Sequence, residues 1–248
     1  MADYRKVRGG AASTGGKSTP AFTAMTTSDP DVKGLWNFEE TSGTTFADEV
    51  AATNLTAVGS TSIGTYFNYN IDADINGQLA NIAPALMLQQ MALENTALPA
   101  SFQPGTGSLT IEMYARFAGS SSNTYIMTTE DSASGSSSFI YFSRSGIIYG
   151  RLYATDGSSV TISTAAIHNL TNGDVRHIRL VYDASADTLA MFLDGVSIVS
   201  ASAAALSGKT VEINELKLSR QVNTSYHPTY FYQCRISHNA TNNGYGLV

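Results

Sequence analysis

Apolar and polar residues alternate along most of this chain from Leu35 onward. In Thr110 to Phe117, Ile111, Met113, Ala115 and Phe117 fall on one face and Thr110, Glu112, Tyr114 and Arg116 on the other, which predicts a half-buried strand. Between His177 and Ser200 three apolar runs are joined by Asp183 to Asp187 and then by Asp194-Gly195. An Asp-Gly pair between two apolar runs is a strong hairpin signal, because both central residues of that turn take positive φ. These runs therefore predict three antiparallel strands in a meander. Further strands are expected at Leu35–Phe38, Phe139–Ser143, Ile147–Tyr153, Val160–Ser163, Val211–Leu218 and Tyr230–Ser237, separated by Gly-, Ser- and Asn-rich turns at the spacing of a sandwich. The segment from Pro84 to Glu94 stays open: its residues are strong helix formers, while the strands around it argue for another strand. There is no long internal repeat.

Composition narrows the class. The 248 residues carry 14% charged residues and a net charge of −6, with nearly a quarter of the chain Ser or Thr and 43% hydrophobic. Disorder over most of the length is excluded, because that state needs few hydrophobics and high net charge. The longest apolar runs are about five residues, against roughly 18 for a membrane-crossing helix. An acidic body is a poor partner for nucleic acid. The charge is also unevenly placed. Residues 1–20 hold Arg5, Lys6, Arg8 and Lys17 against Asp3, a net +3, so residues 21–248 carry −9 of the total −6. Residues 1–30 thus read as an extended basic arm rich in Gly, Ser and Thr, ahead of a single domain over 31–248. Cys234 is the only cysteine, and the N-terminus lacks the apolar stretch of a secretion signal, so folding in a reducing cytoplasm is expected. Sequons stand at Asn54, Asn169, Asn223 and Asn239, a number that chance supplies in so hydroxyl-rich a chain.

Four segments, in order, resemble the laminin-G-like (concanavalin A-like) jelly rolls. Trp36-Asn-Phe-Glu-Glu-Thr-Ser-Gly43 with Phe46-Ala-Asp48 is similar to that family's opening strand and loop. Gly107 to Arg116 resembles an inner strand, Arg176 to Asp183 with Leu189 to Gly195 its meander, and Phe231 to Asn239 its closing strand. The match covers about residues 34–240 and implies an all-β concanavalin A-like (laminin-G-like) jelly-roll β-sandwich, here with an extended N-terminal arm. Two positions depart from the pattern. Tyr114 stands where the family's strand usually has Trp, and Gln233 where its last strand usually has Asp, which removes a carboxylate close to the metal-binding or turn-fixing end of such domains.

The candidate chemistry is sparse. Hydrolases of this fold place carboxylates on one strand as E-x-D-x-x-E, which does not occur; Glu212 and Glu215, spaced by three, point to opposite faces of a strand. His168, His177, His227 and His238 are scattered, and no Gly-x-Ser-x-Gly turn accompanies them. Cys234 shares a register with Ile236 and reads as core packing. Ala11 to Ser18 mimics a phosphate-binding loop, but its first required Gly is Ala11 and no strand precedes it. For calcium, the oxygen ligands would be Asp48, Asp183 and Asp187, although an Asp in a turn more often caps its own backbone. For carbohydrate, Tyr226, Tyr230 and Tyr232 beside Asn223 and His227 form the best aromatic-polar cluster, Tyr149 and Tyr153 a second, with core or subunit-contact roles for these rings as the competing reading.

These features together resemble a structural protein of a tailed-bacteriophage virion, assembled in the host cytoplasm. The resemblance implies a non-enzymatic decoration or tail protein without an obligate cofactor. Its partners would be a major capsid or tail protein, copies of itself and host glycans, with no nucleic acid or membrane. Arg5, Lys6, Arg8 and Lys17 would dock the arm on an acidic neighbour. The alternative is a bacterial surface carbohydrate-binding module.

Overall fold

Most of the alternating segments form strands in a computed structural model that describes residues 25, 27–38, 40, 43–59, 86–88, 91–117, 124–131, 136–142, 146–165, 175–218 and 229–240. The strands are β1 (Val32–Trp36), β2 (Thr45–Phe46), β3 (Leu55–Gly59), β4 (Leu86–Leu88), β5 (Met91–Asn95), β6 (Leu109–Phe117), β7 (Thr124–Asp131), β8 (Ser136–Phe142), β9 (Ile148–Tyr153), β10 (Ser159–Ser163), β11 (Val175–Asp183), β12 (Thr188–Leu193), β13 (Val196–Ser202), β14 (Leu216–Leu218) and β15 (Thr229–Ser237). The first sheet runs β1-β15-β6-β11-β12-β13, with β4 lying beside the other half of β15. The second runs β10-β9-β8-β7-β14-β5-β3-β2. All pairings are antiparallel. The chain is the all-β sandwich that its sequence pattern implies.

The core lies between the sheets. Trp36 is fully buried against Phe102, with ring centroids 6.1 Å apart, and its indole Nε1 donates to the Thr53 carbonyl at 3.0 Å. Phe38 continues the aromatic layer toward Phe46 and Phe231, at 6.0 and 6.2 Å. Gly150 faces the first sheet closely: a Cβ there would stand 2.7 Å from both Leu180 Cδ1 and Met191 Cε. No helix of the described residues is long and apolar enough to cross a membrane.

Several expectations need correction. The open segment 84–94 contributes β4 to the first sheet and β5 to the second, so pairing on two different sheets overrides its helix propensity. The strand expected over Val211–Leu218 shrinks to Leu216–Leu218, while Val211 makes isolated bridges to Gly105 and Ala154. β6 is not half-buried: Thr110, Glu112 and Tyr114 on its polar face are 3%, 1% and 2% exposed. The Asp194-Gly195 hairpin forms as expected, with φ of 51° and 79°. Residues 1–24 of the basic arm lie outside the described residues.

Candidate functional site

On β9 the inward positions are Ile148, Gly150 and Leu152, and the outward ones Tyr149, Arg151 and Tyr153, all half-buried. The alternation that fills the core thus also lifts two aromatic rings and a guanidinium onto the outer face. The Arg151 guanidinium carbon lies 4.1 Å from the centroid of the Tyr153 ring, a cation–π stack that holds both groups in place. The neighbouring strand β10 ends the sheet on this side and sets a hydroxyl opposite each of the three: Ser159 against Tyr153, Thr161 against Arg151 and Ser163 against Tyr149. Arg151 also donates to Ser159 Oγ at 3.4 Å. On the other side Tyr141 pairs with Tyr149 and Phe139 with Arg151, and Tyr125 pairs with Tyr141 one strand further on. Tyr149 and Tyr153 are four residues apart, which spans roughly 13 Å along the strand. A strip of this kind offers apolar ring faces flanked by hydrogen-bonding groups.

The polar face of the first sheet is different, because it is buried. Glu112 accepts from Arg235 Nε at 2.6 Å through Oε1, which also pairs with Arg235 Nη2, and from His177 Nε2 at 3.0 Å through Oε2. Tyr114 packs on the His177 ring at 4.6 Å. Burial works to raise the Glu112 pKa, but the His177 hydrogen bond and the Arg235 and His177 charges outweigh it and hold the carboxyl below its ordinary value. Beside this group Gln233 accepts from the Met25 backbone N–H at 2.9 Å and donates to Asn37 Oδ1 at 2.7 Å. Sequence reading treats the histidines as scattered and misses this cluster. Its only signal is the polar face of residues 110–117, which becomes a cluster once β11 and β15 are known to flank β6.

The candidate calcium ligands are occupied locally to different degrees. Asp48, 7% exposed, accepts from the backbone N–H of Leu35, Val50, Ala51 and Thr53 at 3.0 to 3.3 Å, pinning its turn to β1. Asp183 accepts from the Ser185 N–H and hydroxyl and from the Ala186 N–H; the Ser185 hydroxyl is the main cause that lowers its pKa. Asp187 sits at φ 48° with an enclosed Oδ1 that has no hydrogen-bond partner. Among the described residues no group of three or more His, Cys, Asp or Glu side chains could hold a metal ion.

The tyrosine cluster favoured for carbohydrate is not a platform at Tyr232, which is 1% exposed. Both faces of β15 are covered there, since Phe231 to Ser237 are all buried, and a bulge shifts its register: Phe231 opposes Ala115 and Gln233 opposes Tyr114, so Tyr232 is the extra residue. Tyr230 has its backbone in β15, opposite Arg116 and Met87. Asn223, Tyr226 and His227 lie outside the described residues, as do Arg5, Lys6, Arg8 and Lys17. Cys234 is fully buried beside Ile236 as expected, and burial, aided by the Glu112 charge, pushes its thiol well above the ordinary value.

No known protein family matches the sequence, and no curated protein does. Solved structures do share the fold. The binding domain of Paraclostridial Mosquitocidal Protein 1 is 13% identical with a TM-score of 0.58, over 86% of this chain and 50% of that one. The binding domain of botulinum neurotoxin DC in complex with SialylT is 10% identical with a TM-score of 0.60, over 87% of this chain and 50% of that one. A botulinum neurotoxin type C structure, described by cell entry that depends on interaction with two ganglioside molecules, is 9% identical with a TM-score of 0.55, over 83% and 50%. The chain therefore spans about half the length of these structures, and at such identity the likeness is one of fold.

Proposed function

We propose that this protein is a non-catalytic glycan-binding β-sandwich whose contact surface is the outer face of β9 and β10. The observation that carries this reading is the strip Tyr149, Arg151 and Tyr153 with Ser159, Thr161 and Ser163 opposite it. A pyranose has a C–H face that packs on an aromatic ring and a hydroxyl rim that needs donors and acceptors, and the strip supplies both. Its outward positions include no carboxylate, so it lacks the acid and base that glycoside hydrolysis requires. The similar solved structures support binding as the role, since those proteins are described as binding domains.

An array of neutral and acidic oligosaccharides tests the proposal. Tyr149→Ala and Tyr153→Ala should each weaken binding about fivefold to tenfold, or roughly 1 kcal/mol, with an unchanged circular dichroism spectrum. Binding that both variants retain in full would remove this face from the reading. The finer expectation, a virion protein that displays this sandwich, is supported by the contrast between the +3 of residues 1–20 and the acidic remainder. Equal incorporation into particles after deletion of residues 1–30 would refute arm docking.

A further inference from the structure

One line of directly opposed residues crosses the buried polar face of the first sheet: Leu35, Arg235, Glu112, Arg179, Phe192 and Ser197 on successive strands. Two guanidiniums flank one carboxylate in this line. Both oxygens of Glu112 are taken, one by Arg235 and one by His177. Arg179, on the other side of Glu112, is 4% exposed, and its Nε is enclosed without an acceptor. Its guanidinium carbon rests 4.3 Å from the centroid of the Phe192 ring. Burial holds its pKa below the ordinary value; the Glu112 charge opposes that shift and the Arg235 charge adds to it.

A buried guanidinium whose Nε–H lacks an acceptor is costly, and stacking on a ring recovers only part of that cost. Beyond Arg179 on this face stand the half-buried Phe192 and Ala190 and small hydroxylic groups. Ser197, opposite Phe192, is exposed, and the next line on this face places Ala190 beside an exposed Ser200.

We propose that Arg179 is an oxyanion-binding group, whose N–H fork receives a carboxylate or sulfate presented over Phe192, Ala190, Ser197 and Ser200. The ligand supplies the acceptors and the negative charge that the line lacks, and a planar fork suits an oxyanion in a way an ammonium does not. This site lies on the opposite sheet from Tyr149 and Tyr153, so it stands or falls independently of the glycan-binding strip.

The test is titration of the full chain with sodium sulfate, glucuronate or glucose at constant ionic strength, reading the arginine Nε–H resonances. Arg179→Lys assigns the Arg179 signal. If that variant does not fold, the ring-current change in Phe192→Ala assigns it instead. The Arg179 resonance should move saturably with glucuronate and stay still with glucose, and Arg179→Lys should weaken glucuronate binding about tenfold or more. Movement with sulfate as well supports a site that a free oxyanion fills; movement with glucuronate alone supports one that needs the sugar to carry it. No saturable movement with either anion, or equal affinity in Arg179→Lys, overturns the proposal.

Discussion

Replacing Glu112 by Gln keeps the shape of the side chain and removes the one negative charge between Arg235, His177 and Arg179. Glu112 is 1% exposed, Arg235 and Arg179 are each 4% exposed and His177 is 5% exposed, so little water is at hand to take over the solvation of the cations. The carboxylate makes charge-assisted contacts from both oxygens, to Arg235 and to His177. Hydrogen bonds to charged groups contribute about 1.5–3 kcal/mol each, and removing one partner of a buried ion pair costs about 3–5 kcal/mol. Glu112→Gln should therefore lower stability by about 3–5 kcal/mol, a large part of the roughly 5–15 kcal/mol that holds a domain folded. Trp36, the only tryptophan and fully buried, reports unfolding by its fluorescence in urea. With a slope of about 3 kcal/mol/M, the midpoint should fall by roughly 1–1.7 M. Because the folded-state pKa of Glu112 is lowered, its stabilisation is present above the ordinary value of 4.5 and is lost as pH falls through the folded value. Wild type and variant should accordingly converge in acid. A cost below about 1 kcal/mol at neutral pH would show that this face is wet and that the burial argument is wrong.

Two further outcomes follow from the packing and the charges. Gly150→Ala places a methyl group 2.7 Å from the mobile ends of Leu180 and Met191, so it should cost about 1–2 kcal/mol and lower Tm by roughly 2–8 °C; an unchanged Tm in calorimetry would mean that the sheets stand further apart. The Asp156 carboxyl, bonded to Lys209 at 2.7 Å and to the Ser158 N–H, titrates at about 2 rather than 3.8. Its small stabilising effect is thus present above 3.8 and fades as pH falls toward 2, and a carboxyl carbon titration by NMR should show the midpoint return toward 3.8 in Lys209→Met.

The amino-acid pattern alone determined the sandwich, the meander of β11 to β13 and the Asp194-Gly195 turn, because a period of two and a dipeptide tolerant of positive φ are local properties. It also placed Cys234 in the core and read Asp48 and Asp183 as residues that bind their own turns. Strand order was not legible, and with it went both proposed functional faces. Glu112, His177, Arg179 and Arg235 are far apart in sequence and meet only because β11 and β15 flank β6. Tyr232 is buried because β15 is covered on both faces from Phe231 to Ser237, a consequence of packing that no local pattern signals. Tyr149 and Tyr153 could be paired from their spacing, but the hydroxyls that complete the proposed binding strip come from register with β10. Which side chains face one another is set by pairing between strands, and pairing is a property of the folded chain.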